Sequence, residues 1–302
     1  MPVRYPFGTS DYQRQMVAVA GTAFFVDSGH AQAEDSPSHG RTPEVPFATI
    51  DYAIGRCAAD NGDVIFVMPG HAETTTVTIA LDIAGVSIIG LGVGRSRPAV
   101  TANFAATGVT VTVSAANCLV KNIRLVASSA AQTNQVSVLA ADFEMTDCVI
   151  EQGANNLIGV NIGAGAARPY IHDCLWLGTA NGPDVALDFP AAGGGDNCIV
   201  EDCEFNAGLL GWDLGVIRAG RAVEGGLFQR LTILGVDTVA IDFNSSSAAA
   251  GDGMVADCRF LATAALTSIE DILDVGGYSF FECYAADAVS AAAARVPLLT
   301  VS

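Results

Sequence analysis

MTDCVI at residues 145–150, IHDCLW at 171–176 and VEDCEF at 200–205 share one form: apolar, variable, Asp, Cys, variable, apolar. The form recurs, with some exchanges, as VKNIRL (120–125), FQRLTI (228–233), VADCRF (255–260) and FFECYA (280–285). Its fourth positions, Ile123, Cys148, Cys174, Cys203, Leu231, Cys258 and Cys283, lie 25, 26, 29, 28, 27 and 25 residues apart. A unit repeated at such a period decides the architecture before any single residue is weighed. About a dozen residues beyond an anchor comes a second apolar run: GVNIG (159–163), VALDF (185–189), LGVIR (214–218), VAIDF (239–243) or DILDV (271–275). Connectors such as GAGAARP, AAGGGDN and SSSAAAGDG close the units and supply turn residues. These runs are too short and too broken by glycine for helical repeats, so each unit reads as a rung of short strands.

Stacked rungs place equivalent residues above one another, roughly 4.8 Å apart. The fourth-position cysteines then form an inward column of free thiols, because buried cysteine packs as a small hydrophobe. Strict alternation fails between the first and fourth positions, as a bend there requires. The third position, Asn122, Asp147, Asp173, Asp202 or Asp257 with Arg230 as the exception, sits at that bend, where Asn and Asp tolerate left-handed backbone angles.

Composition removes several function classes. The chain has 302 residues, with 32 acidic against 14 basic side chains for a net charge of −18, yet 51% of it is hydrophobic, which argues against global disorder. Lys121 is its one lysine, and no basic run suits a phosphate backbone, so nucleic acid is not an expected partner. Apolar windows of four or five residues exclude a membrane-spanning helix. The start, MPVRYPFGTSDYQRQ, lacks the apolar core of a signal peptide, which predicts synthesis in a cytoplasm and reduced thiols. Eight cysteines without a CxxC pair point to packing and to no metal.

The opening of the chain is more particular: FFVDSG (24–29), RTPEVPFATIDYAIGRC (41–57) and GDVIFVMPGHAE (62–73). With the repeat, it resembles the right-handed parallel β-helix superfamily, the pectate-lyase-like fold of polysaccharide lyases, glycosidases and bacteriophage tailspikes, over roughly residues 20–290. The resemblance implies an all-β, single-stranded right-handed parallel β-helix with a short N-terminal capping helix. Ile50, Ala53, Ile54 and Cys57 give that helix an apolar stripe, and Thr49 is its expected N-cap. The expected organisation is an N-terminal arm (1–20), an entry strand, polar loop and capping helix (21–62), the β-helix (63–290) and a C-terminal tail (291–302).

Members of this superfamily that cut polysaccharides use carboxylates, and the ladder offers Asp173 and Asp202 as catalytic candidates. Carboxyl groups roughly 5 to 9.5 Å apart can hydrolyse glycosides, and neighbouring rungs meet that spacing automatically. A bend that recurs on nearly every rung explains the same ladder without substrate, and the structural reading is preferred. His71 beside Glu73 reads as part of a turn, His172 as a tolerated surface side chain, and Arg95 and Arg97 as surface charges; Gly92 and Gly94 lack the third glycine of a dinucleotide fingerprint. His30, His39, Asp27, Glu34 and Asp35 in the entry loop have no fixed ligand spacing. No cofactor is expected. Arg4, Tyr5, Phe7 and Tyr12, in the arm outside the repeat, are the expected partner-binding residues.

The resemblance, the lack of a catalytic constellation and the little chain outside the repeat lead to one expectation: a non-enzymatic bacteriophage virion protein, an oligomeric capsid decoration or cement protein. A homo-oligomer, expected as a trimer, would meet the major capsid protein or another virion protein. The alternative is a polysaccharide-degrading or glycan-binding tailspike or depolymerase, a lyase or glycoside hydrolase.

Overall fold

The computed structural model describes residues 20–104, 107–128, 132–153, 158–178, 183–190, 193–207, 212–236, 240–243, 251–262, 273–274, 277–287 and 296–297. Expectations for Arg4, Tyr5, Phe7 and Tyr12, and for nearly all of the C-terminal tail, lie outside these residues.

Three columns of short strands wind into a parallel β-solenoid of the right-handed type. One turn of the coil runs from Glu144–Thr146 in sheet A through Val149–Gln152 in sheet B to Ile158–Ile162 in sheet C, then returns to sheet A at Tyr170–His172. Among the described residues sheets A and B each hold 10 strands and sheet C holds 8. Among the described residues all pairings are parallel except that of Val296–Pro297, which runs antiparallel to Tyr284–Asp287.

The repeat maps onto this coil position by position. The first three residues of MTDCVI end a sheet A strand and enter a corner; the fourth points inward, and the rest begin a sheet B strand. Asn122, Asp147, Asp173, Asp202, Arg230, Asp257 and Glu282 all have φ between 51° and 57°. The corner stacks through its backbone: the N–H of Asn122 reaches Thr146 O at 3.0 Å, Asp202 reaches Gln229 O at 3.2 Å, and Asp257 reaches Phe281 O at 2.9 Å. Each bond joins a left-handed residue to the carbonyl just before its counterpart one rung on.

Behind the corner, Cys148, Cys174, Cys203, Cys258 and Cys283 are buried free thiols in line with Ile123 and Leu231. Burial raises the Cys174 thiol well above its ordinary value, with hydrogen bonds to Cys148 and Cys203 adding to the effect. Cys118 and Cys198 belong to a different column, at the corner from sheet C to sheet A; burial pushes Cys198 up to about 12. That second corner is also left-handed, at Asp60, Gly85, Asn117, Asp142, Arg168, Asn197 and Gly225. Its amides bond upward in the same way, Asn117 to Ala141 O and Asp142 to Ala167 O.

Inward residues fill the coil. Trp176 stacks on Phe205 with centroids 4.5 Å apart, and Trp212 meets Phe205 edge-on at 6.5 Å. The buried Gln152 accepts from the Trp212 indole N–H at 3.0 Å and donates to Val185 O at 2.9 Å, so this polar side chain is paired within the core.

The α-helix among the described residues is Ile50–Ile54, with Thr49 Oγ1 accepting from Tyr52 N as its N-cap. It is shorter than its apolar stripe: Gly55 ends it, and Cys57 packs on the core from beyond it, half-buried. No helix among the described residues is long and apolar enough to cross a membrane.

Candidate functional site

Period-two alternation makes one residue in two on each strand face outward, so the registers alone assemble the surface. On sheet A, Glu144 pairs with Tyr170, and Thr146 with His172, then His172 with Glu201 and Glu201 with Gln229. The corner residues Asp173, Asp202 and Arg230 flank this column, so the two catalytic candidates lie on one polar surface.

That surface is internally satisfied. Arg230 grips Asp202 with two parallel bonds, Nε to Oδ1 at 2.8 Å and Nη2 to Oδ2 at 2.7 Å, and Nη2 also reaches Glu201 Oε2 at 2.6 Å. Such forked pairing is the strongest that an exposed carboxylate finds. Glu201 also accepts from the Tyr170 hydroxyl and from Gln229 Nε2. The Tyr170 bond, followed by those of Gln229 and Arg230, outweighs burial and holds Glu201 below the usual carboxylate range; the same bond pushes Tyr170 up to about 12. Asp202 is lowered first by its bond to Arg230.

His172 is wedged between carboxylates, Nδ1 2.8 Å from Asp173 Oδ2 and Nε2 3.2 Å from Glu144 Oε1, with its ring stacked on Tyr170 at 4.2 Å. Only the imidazolium can donate from both nitrogens. Burial opposes its charge, but the bonds to Asp173 and Glu144 prevail and raise its pKa. His172 is therefore a structural link between rungs, not the merely tolerated surface side chain expected from its varied counterparts. On the preceding rung Lys121 Nζ lies 3.2 Å from Asp147 Oδ2.

His71 and Glu73 do meet, Nε2 to Oε2 at 3.3 Å, but inside the coil's first rung. His71 Nδ1 accepts from Ser28 N at 3.0 Å, which leaves its proton on Nε2, facing Glu73. Glu73 in turn accepts from Ile50 N at 3.1 Å, at the start of the helix. The pair fastens the entry segment to the coil. The entry-loop carboxylates are similarly engaged: Asp27 accepts from Gly29 N, and Asp35 from the amides of Ala48 and Thr49 and the Thr49 hydroxyl. His39 Nδ1 lies 2.7 Å from Ser36 Oγ. Among the described residues no group of three or more His, Cys, Asp or Glu side chains could hold a metal ion.

Sheet C carries a column that sequence reasoning missed. Asn161, Asp188, Arg218 and Asp242 are successive partners in register. Arg218 Nε donates to Asp188 Oδ1 at 2.9 Å, and Asp188 is only 2% exposed although its side chain leaves the coil. The available signal was the single polar residue inside each otherwise apolar run, GVNIG, VALDF, LGVIR and VAIDF.

Comparison with solved structures places the fold. A rhamnogalacturonan lyase matches with a TM-score of 0.60 and 12% identity, covering 91% of this chain and 79% of its own. A pectin methylesterase bound to a hexasaccharide matches with a TM-score of 0.54 and 13% identity, covering 90% and 92%. A pectate lyase matches with a TM-score of 0.54 and 10% identity, covering 90% and 79%. No family model and no curated protein sequence matches the chain. The chain has the pectate-lyase-like parallel β-helix fold.

Proposed function

We propose that the chain is a non-enzymatic structural protein of a bacteriophage virion, an oligomeric decoration or cement protein, trimeric, that reinforces the capsid surface. What supports this reading is the condition of the ladder carboxylates. Asp202 is clamped by Arg230, Asp147 by Lys121 and Asp173 by His172, while their backbones hold the left-handed corner. Groups so engaged serve the stack itself, and stacked ladders over one continuous core make a rigid body. The surrounding net charge of −18 would keep particles apart in solution. The helix Ile50–Ile54 caps the N-terminal end of the coil, and the arm bearing Arg4, Tyr5, Phe7 and Tyr12 docks to the major capsid protein.

A second reading, glycan binding or cleavage, draws on the acid and base column of sheet C, where Asp188, Arg218 and Asp242 come from three successive rungs. One experiment separates the two. The purified chain is incubated with bacterial capsular and cell-wall polysaccharides, and reducing ends and unsaturated products are measured. No cleavage, together with particles that burst more readily without the protein, is the expected result. Cleavage that vanishes in Asp188→Asn, Asp173→Asn or Asp202→Asn would overturn the structural reading. Deleting residues 1–15 should leave a folded coil that no longer decorates particles; undiminished occupancy would move the docking site onto the coil.

A further inference from the structure

The outer corner between sheets A and B changes character at its C-terminal end. On the middle rungs it carries charges joined within the chain, as in Arg230 with Asp202 and Lys121 with Asp147. On the last two rungs it carries Met254, Leu261, Phe281 and Tyr284, which are 40%, 37%, 52% and 45% exposed. Of the other exposed large apolar side chains, Ile199 lies two rungs before Met254 in the same sheet A column, with Leu227 between them, while Val77, Leu139 and Leu214 lie on separate segments. The four at the corner are neighbours by register: Ala256 pairs with Phe281 two residues after Met254, and Arg259 pairs with Tyr284 two residues before Leu261.

Charge sharpens the point. Arg259 is exposed, and its register partners are Thr232 and Tyr284, so neither adjacent rung of its column offers it a carboxylate. Glu282, at the left-handed corner between Phe281 and Tyr284, is exposed as well. Neither has an ion-pair partner among the described residues, in contrast to Arg230 and Asp202 at the equivalent corner. The patch therefore holds both halves of a salt bridge, unjoined, beside two aromatic rings and a thioether. Aromatic residues, Met and Arg are the types enriched at the centre of protein interfaces.

We propose that this corner, with Met254, Arg259, Leu261, Phe281, Glu282 and Tyr284, is the contact between copies of this chain. Around a closed axis Arg259 of each copy meets Glu282 of the next while the apolar side chains pack between them. A head-to-tail contact of this kind makes a ring when its rotation closes. The inference rests on the oligomeric reading above but not on attachment to any particle, and its test is made in solution without particles.

The full-length chain is studied by sedimentation velocity over a range of concentrations, with circular dichroism to verify that each variant keeps its β-structure. The native chain should form a closed oligomer, and Phe281→Ser and Arg259→Glu should each weaken association at least ~30-fold. Combining Arg259→Glu with Glu282→Arg should restore association to within about threefold of the native value, because the pair is then reversed rather than removed. Hydroxyl-radical footprinting should show Phe281 and Tyr284 becoming protected as the oligomer forms. A native chain that stays monomeric, whether the patch is open or covered by its own tail, overturns the proposal. So does an oligomer indifferent to Phe281→Ser and Arg259→Glu, or a charge reversal that recovers nothing.

Discussion

The two ends of the coil are finished by opposite means. At the first rung, carboxylates are buried and each meets a backbone amide: Asp63 accepts from Thr22 N at 2.6 Å, Ala58 N at 2.7 Å and Asn61 Nδ2 at 2.7 Å, while Glu73 accepts from Ile50 N. At the last rungs no buried carboxylate plays that part among the described residues: Val296–Pro297 pairs antiparallel with Tyr284 and Ala285, and Phe281 and Tyr284 are exposed. A polar network binds the entry segment to its own chain and specifies one arrangement. An apolar corner specifies nothing until something covers it. The first end is tied to its own chain by polar bonds, and the proposed contact would cover the other.

The contrast can be broken most forcefully at Asp63. Asp63→Ala leaves three donors without their acceptor in a site only 2% exposed, and should cost about 3 kcal/mol in chemical denaturation. A loss below about 1 kcal/mol, within the range of an ordinary neutral hydrogen bond, would mean that the entry segment is held by packing alone.

Acidity should distinguish the regions next. Asp63, Glu201 and Asp202 have lowered folded values, for Asp63 because the bonds from Thr22, Ala58 and Asn61 outweigh burial. Their contribution is complete above the unfolded carboxylate value and is lost as pH falls through the folded ones. His172 has the opposite sign. Its raised value means stability present below the ordinary 6.5 and lost as pH rises through the folded value. His172→Gln should remove the alkaline loss and leave the acid loss in place, as followed by unfolding midpoints across pH. An unchanged alkaline limb would show that the link between Glu144 and Asp173 carries no charge.

A smaller effect tests the corners themselves. Asp257 has φ of 53° and an exposed side chain, so Asp257→Gly should be nearly neutral whereas Asp257→Val should cost about 1–2 kcal/mol. Equal stabilities would show that the left-handed angle is not maintained in solution. Smallest in energy is the thiol inventory: the native protein should react slowly with a thiol reagent, and all eight cysteines should react after denaturation without reductant. Fewer than eight would reveal disulfides.

The fold was legible because its most constrained corner repeats in sequence. The bend after each sheet A strand is one residue long, which fixes the distance from Asp173 to Cys174 or from Asp202 to Cys203. The corner before sheet A was not legible, although its geometry is as regular. Asp60, Gly85, Asn117, Asp142 and Arg168 have no common side chain, because what they share is only φ. The site suffered similarly. Asp173 and Asp202 were visible as a ladder, but their partners were not: Arg230 lies 28 residues from Asp202, and only register brings the two together. Asp188 and Arg218 were hidden in apolar runs whose meaning as an outward column appears once sheet C is assembled. His71 and Glu73 read as part of a turn, and adjacency in sequence did not show that they form a buried joint.

Because each rung touches chiefly the rungs above and below it, this molecule has a direction of failure. Cooperative units in such a stack are lost from an end inward, and the end with fewer bonds yields first. The first rung, with Asp63 and Glu73 tied to the entry segment, acts as the stop of a zip fastener, and the last rungs, without a buried carboxylate joint among the described residues, act as its slider. A protease, a rising temperature or a mechanical pull should therefore peel the coil from its C-terminal side, and the contact proposed over Phe281 and Tyr284 would jam the slider.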